Sequence, residues 1–351
     1  MGTFAYISII TVVLKLVIAY IIQIVQYDRL VIYALFLLGT TVLERILYQV
    51  YCYRHFPEAR RIRIKRYPQF REMLSFAGWK LFGNMMVVAN TQGVNILLNM
   101  FFGPVINAAR GIAYQVEGAI NSFIVNFQLA VRPQITKSYA VRDINRVQEL
   151  IVLSSKLSFF LLLLFALPFF IEAEKVLALW LKDVPEHTAS FLRLILLVLF
   201  ISPLENPVTI AKDSTGSIKK YSVVSSCLQS TIIIFDYLAL KLGCAPEIVF
   251  VIQFVVLVIT LLAKFIMVRK EICISIKQYF SQILLILLVV TAVACIIPVS
   301  LHMMMDDSIT SFLVICIVSI LSVLFSSFFI GLNHKEREAI IRQVNKAFRR
   351  K

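Results

Sequence analysis

Apolar residues run through this chain in blocks too long for strands and too continuous for the surface helices of a soluble protein. Ten blocks, at 4–26, 30–53, 73–101, 106–131, 150–171, 189–211, 221–240, 247–268, 281–301 and 309–331, each reach the roughly 20 helical residues that cross a hydrocarbon core of about 30 Å. Short polar or turn-forming segments separate many of them: "YDR" at 27–29, a basic run at 54–72, "GPV" at 103–105, "KDSTGSIKK" at 212–220 and "CAPE" at 244–247. In lipid the backbone must satisfy its own hydrogen bonds, so blocks of this length predict helices. The pattern predicts an all-α polytopic membrane protein with about ten transmembrane helices.

Composition agrees with that reading. The chain is 60% hydrophobic and only 16% charged, with a mean hydropathy of +0.85, outside the range of soluble globular domains. Its net charge of +15 is placed as the positive-inside rule requires. With both termini cytoplasmic, the inside segments 54–72, 132–149, 212–220, 264–277 and 335–351 hold 25 of the 35 Lys and Arg residues. The charge is thus spread over every cytoplasmic loop, which argues against nucleic acid as a partner and suits contact with anionic membrane lipids. The first run, "MGTFAYISIITVVLKLVIAYIIQ", has no basic segment ahead of it and no small-residue cleavage site, and is interrupted by Lys15. It predicts a retained helix rather than a signal peptide.

Reactive residues add little. The six cysteines have no CxxC spacing, and His55, His187, His302 and His334 stand apart in loops, so neither a metal nor a redox site is expected. No GxxxxGK[ST] pattern is present. The longest outer loop, about 172–188, is too small for a catalytic domain and its His187 has no evident partner in the sequence. No cofactor and no enzymatic activity are expected.

The informative polarity lies inside the membrane, where charges and amides are costly and normally face a bundle interior or a watery cavity. Advancing 100° per residue along 106–131, Asn107, Arg110, Tyr114, Glu117, Asn121 and Gln128 fall within an arc of about 80°, with Ile112, Val116, Ile120, Phe123, Ile124 and Phe127 on the other side. The preceding helix repeats the pattern: Lys80, Asn84, Thr91, Asn95 and Asn99 share an arc of roughly 100°. A short turn joins the two helices, making them antiparallel neighbours. Facing stripes predict a hydrated, substrate-lining cavity; single amides also serve as interhelical hydrogen-bond glue, and Lys80, Arg110 and Glu117 can alternatively form a structural ion pair. Glu205 sits between Pro203 and Pro207, which predicts a kinked or broken helix with backbone groups available for a substrate or a hinge. Asp236 reads as a snorkelling or capping residue near a helix end, Arg193 as an interfacial anchor, and Glu44 and Arg45 as charges in need of partners.

The run "FAGWKLFGN…NTQGVNILLNMFFGPVINAARGIAYQVEGAINSFIVNFQLAVRPQITKSYA", followed by "LPFFIEAEKVLALWLKDVPEHTASFLRLIL", resembles the lipopolysaccharide and capsule repeat-unit flippases of the multidrug/oligosaccharidyl-lipid/polysaccharide exporter superfamily. The resemblance extends from "FAYISI" to about residue 280. It implies two six-helix lobes around a cavity that opens alternately to each side, and transport of an undecaprenyl-pyrophosphate-linked oligosaccharide across the inner membrane. Sugars call for amides and hydroxyls, and a pyrophosphate for a cation such as Lys80 or Arg110. Family members usually have fourteen helices, and the resemblance aligns Met1 just before the fifth. It therefore implies two helices of an N-terminal lobe at 1–53, a basic cytoplasmic linker at 54–72, a complete six-helix lobe at 73–280, and two appended helices with a basic tail at 281–351. The missing helices imply a fragment, a second chain that completes the lobe, or a homo-oligomer. A cation-coupled multidrug antiporter of the same superfamily is the alternative function, with a membrane-bound polysaccharide polymerase or ligase a further one.

Overall fold

A computed structural model describes residues 2–24, 28–57, 68–269, 271–273, 276–306, 308–334 and 336–338. Much of the basic run expected at 54–72, and the tail from 339, lie outside the described residues. Every regular element among them is helical. Two compact units divide the chain, Met1–Phe70 and Arg71–Lys351.

The first unit is a helical hairpin of α1 (Gly2–Ile24) and α2 (Arg29–His55). Glu44 and Arg45 line an open hollow on α2 with Thr41, Val42 and Tyr48.

The second unit begins in the first turn of α3 (Pro68–Phe102). It continues with α4 (Pro104–Ala140), α5 (Ile144–Ile171), a short α6 (Ala173–Trp180), α7 (Thr188–Leu199), α8 (Ser202–Ser214), α9 (Lys219–Lys241), α10 (Ile248–Val268), α11 (Ile276–Met304) and α12 (Ile309–Ser326), which ends in a π-helical turn, Ser327–Gly331. Local chemistry sets several boundaries. The Asp143 side chain accepts the Arg146 N–H at 3.1 Å to start α5, and Ser308 does the same for Ser311 at the start of α12.

Eight helical stretches among the described residues are long and apolar enough to cross a membrane: 31–55, 70–102, 144–171, 188–214, 219–241, 248–268, 283–304 and 309–331. The protein is therefore a multi-pass membrane protein. Two of the ten expected spans fall outside this set, for different reasons. The described apolar run of α1 is short, Tyr6–Ile22. Helix α4 is long, at 37 residues, but its polar stripe dilutes its hydropathy.

The expected span 189–211 is two helices. Phe200 and Ile201 form a tight turn between α7 and α8, with N–H groups bonded three residues back, to Leu197 and Val198. Pro203 stands in the first turn of α8 and Pro207 removes a rung within it. The broken helix anticipated from those prolines is present. Helix α6 was not anticipated, because eight residues inside a loop give too short a pattern to read.

Helices α4 and α5 form the centre of this unit. Helix α4 packs on α5, α7 and α8, while α5 also receives α11 and α12. One apolar core gathers Ala109, Ala113, Ile124, Leu162, Phe191, Leu196 and Phe250; the other gathers Ile151, Phe265, Tyr279, Ile283, Val290 and Ile315. Helices α11 and α12 belong to the same compact unit as the eight helices α3 to α10 before them. The Tyr279 hydroxyl pairs with Ser155 at 2.7 Å and donates to the Leu204 carbonyl at 3.2 Å. At Gly331 a Cβ would run into the Phe160 ring, so glycine lets the turn after α12 lie against α5 without displacing that ring.

Candidate functional site

The polar stripe of α4 borders its buried face rather than opposing it. The buried arc runs through Ile106, Ala109, Ala113, Val116, Ile120 and Ile124, and takes in only Arg110 and Gln128 from the stripe. Asn107, Tyr114, Glu117 and Asn121 are half-buried at its edge. Val116, Ile120 and Ile124, expected on the side away from the stripe, point into the core while Phe123 is exposed.

On α3, Thr91 and Asn95 are half-buried, whereas Asn84 and Asn99 are exposed. The stripes therefore meet at one level only. There Arg110, 3% exposed, donates from Nη1 to the Asn95 side-chain carbonyl and to the Thr91 backbone carbonyl (3.4 Å), and from Nη2 to the Tyr114 hydroxyl (3.2 Å). Its guanidinium lies over the Tyr114 ring at 4.5 Å, and Tyr114 in turn donates to Gln253 of α10 at 3.4 Å.

Close by, Asp236 of α9 is fully buried and neither carboxylate oxygen has a hydrogen-bond partner among the described residues. Arg110 acts on it electrostatically, although the two form no direct ion pair among the described residues. The expectation that Asp236 snorkels or caps is corrected, because its oxygens are enclosed rather than turned to a helix end or to water.

The other cation expected in the stripes finds its partner elsewhere. Lys80 does not pair with Glu117; its Nζ lies 2.5 Å from Asp213 at the far end of α8. Arg132 reaches the second oxygen of the same carboxylate at 3.5 Å. Glu205 pairs with Lys264 of α10, whose ammonium sits 5.3 Å from the Tyr221 ring centre. Lys212 pairs with Glu271 at 2.5 Å. Helix α8 is thereby tied by charge to α3, to α4, to α10 and to the segment after α10.

Beside these ties a cleft of about 200 Å³ opens between α4 and α8. Its polar lining is Gln128, Arg132, Asn206, Thr209 and Asp213, and its apolar lining Val125, Leu129 and Ile210. Gln128 is buried and donates to Ser158 at 3.2 Å, while Asn206 donates to its carbonyl at 3.0 Å. Asp213 escapes the sequence because 212–220 reads there as a loop, Arg132 because it falls at the start of an expected cytoplasmic segment, and Asn206 and Thr209 because nothing singles them out within the expected span 189–211. The spacing of Glu205, Thr209, Lys212 and Asp213 nonetheless places them along one side of a helix, and that spacing was the available signal.

At the opposite end of the unit the histidines have partners. His187 pairs with Glu247, and His302 with the buried Glu172 at 2.7 Å. Arg193 bonds Glu174 at 3.0 Å and the Phe170 carbonyl at 3.1 Å. These links join α6 to α7 and α5 to α11. Cys52, Cys227, Cys244, Cys295 and Cys316 are free thiols.

Comparison with protein-family models, with curated proteins and with solved structures finds no match for this chain.

Proposed function

We propose that this protein moves an anionic, lipid-linked oligosaccharide across a membrane, the substrate class being a polyprenyl-pyrophosphate repeat unit for surface polysaccharide. One observation carries the reading. Arg110 and Arg132 stand 22 residues apart on the same side of α4, about 33 Å along a helix axis, close to the thickness of a hydrocarbon core. Between them lie Tyr114, Glu117, Asn121 and Gln128, and Lys80 joins the Arg132 end through Asp213. An accessible cation at the Arg132 end, with amides and hydroxyls along the stripe and the enclosed Arg110 at its other end, suits a ligand with a charged phosphate and a hydroxyl-rich sugar. The family resemblance of residues 76–140 and 167–196 supports the same class, with the membrane taken as the inner membrane and both termini cytoplasmic.

The deciding experiment is expression of the chain in a strain that lacks its repeat-unit flippase. Restored surface polysaccharide supports the reading. No restoration, with the protein present in the membrane at normal abundance, counts against it.

The fully buried carboxylate of Asp236 favours one second reading, a cation-coupled drug antiporter. Under that reading the chain raises drug tolerance in an exporter-deficient strain, and Asp236→Asn removes the effect.

A further inference from the structure

The charge balance at Asp213 is uneven. One carboxylate, with its side chain 10% exposed, holds two cations from two different helices. The two contacts differ in kind. Lys80 is close, at 2.5 Å, whereas Arg132 is 3.5 Å away and its side chain is 51% exposed. A guanidinium has five N–H donors, and Arg132 uses one of them here, loosely. The group as a whole carries one surplus positive charge at the mouth of the α4–α8 cleft.

The cleft wall offers donors of its own. The Gln128 amide gives one N–H to Ser158 and the Asn206 amide gives one to Gln128, which leaves a second N–H on each. At about 200 Å³ the cleft is below the roughly 300–1,000 Å³ of sites that enclose a drug-sized ligand. It suits a compact group, not a whole oligosaccharide. A surplus cation, a half-free guanidinium fork and spare amide donors select an oxygen-rich anion.

We propose that the α4–α8 cleft binds a phosphate-class anion. Arg132 supplies the fork, Lys80 a point charge, and Gln128 and Asn206 the remaining donors. Asp213 is the resident competitor that occupies both cations when the anion is absent. The proposal rests on the transport reading only for the idea that the phosphate arrives on a lipid.

The chain carries its own reporter. Trp79 is next to Lys80, and its ring lies 5.1 Å from the Lys219 ammonium. With Trp180→Phe, Trp79 is the one tryptophan left of two. The full chain in phosphatidylcholine nanodiscs is titrated separately with inorganic pyrophosphate and with farnesyl pyrophosphate, and compared with discs containing phosphatidylglycerol.

The expected result is a saturable change in Trp79 emission. It is weakened about tenfold or more by Arg132→Gln, the loss of one charge-assisted hydrogen bond. Tighter binding of farnesyl pyrophosphate than of pyrophosphate assigns a lipid source, equal binding assigns the free anion, and a response to phosphatidylglycerol alone assigns bulk lipid. Asp213→Asn removes the competitor and is expected to tighten binding, an effect that a merely structural aspartate does not produce. No saturable response to any of the three probes overturns the site, as does weaker binding in Asp213→Asn. Loss of the site with polysaccharide export intact refutes the cleft alone, and binding without export refutes the transport reading alone.

Discussion

Arg110 and Arg132 are the same residue on the same side of the same helix, yet they occupy opposite physical situations. Arg110 is 3% exposed, and both of its terminal nitrogens donate to groups on α3 and α4. Arg132 is half-exposed, holds one loose ion pair and borders a cleft. The difference comes from the neighbours. At the Arg110 level α3, α4, α9 and α10 close around the charge, and Asp236 offsets it. At the Arg132 level α8 stands off enough to leave room. A cation in a transporter-like helix is therefore not by itself a ligand contact; its spare donors and the space around it decide.

The largest effect should come from breaking the closed level. Arg110→Ala removes the hydrogen bonds to Asn95, Thr91 and Tyr114 together with the cation that acts on the buried Asp236; one hydrogen bond to a charged group contributes about 1.5–3 kcal/mol, so losing them together should cost roughly 3–5 kcal/mol. Unfolding in mixed detergent–SDS micelles should show a loss of that order, along with reduced abundance in the membrane. Asp236→Asn in the Arg110→Ala background should recover part of it. Simple addition of the two single losses would show that the two groups are not coupled, and the contrast between the levels would then lose its electrostatic basis.

A smaller loss should follow from Asn95→Ala. It removes the amide oxygen that Arg110 Nη1 uses on α3 and leaves that nitrogen the longer contact to the Thr91 carbonyl. Hydrogen bonds to charged groups contribute about 1.5–3 kcal/mol, so the same unfolding curve should shift by less than it does for Arg110→Ala. Asn99→Ala is the control, because Asn99 lies on the same stripe but is exposed. A shift as large in Asn99→Ala as in Asn95→Ala would mean that the stripes meet along their length after all.

How far these levels were legible in the sequence follows from what a helical wheel contains. Apolar blocks of about 20 residues marked the membrane helices directly, and Pro203 with Pro207 marked the break between α7 and α8. The angular arc of Asn107, Arg110, Tyr114, Glu117, Asn121 and Gln128 is a property of the chain alone. A wheel does not say which neighbour lies against which part of the arc. Helix α4 turns Ala109, Ala113 and Ile120 inward and leaves the stripe at the margin of the buried face, because small and branched apolar residues there allow α5 and α7 to pack. The Lys80–Asp213 pair joins residues 133 positions apart, and Asp213 read as part of a loop until α8 carried it onto a helix. Asp236 reads in the sequence as a snorkelling or capping acid, since nothing near it along the chain names Arg110.

At the open level Gln128 tests the other side of the comparison. It is buried, and it links α5 and α8 through Ser158 and Asn206. Interhelical amide bonds in membranes are worth about 0.6–2 kcal/mol, so Gln128→Ala should cost about that much. Gln128→Glu should cost more, since it buries a new charge and turns the donor to Ser158 into an acceptor.

The smallest stability effect is expected at Arg132. A half-exposed ion pair contributes on the order of 0–1 kcal/mol, and Asp213 keeps its closer partner Lys80 when Arg132 is removed. Arg132→Ala should therefore leave the unfolding curve within about 1 kcal/mol of the unaltered protein, while any function that depends on the cleft falls sharply. That pairing, little stability lost and much function lost, is the inverse of what Arg110→Ala should give. If Arg132→Ala instead lost stability and function together, the open level would prove to be a second structural tie, and α8 rather than the cleft would be the reason for the charge.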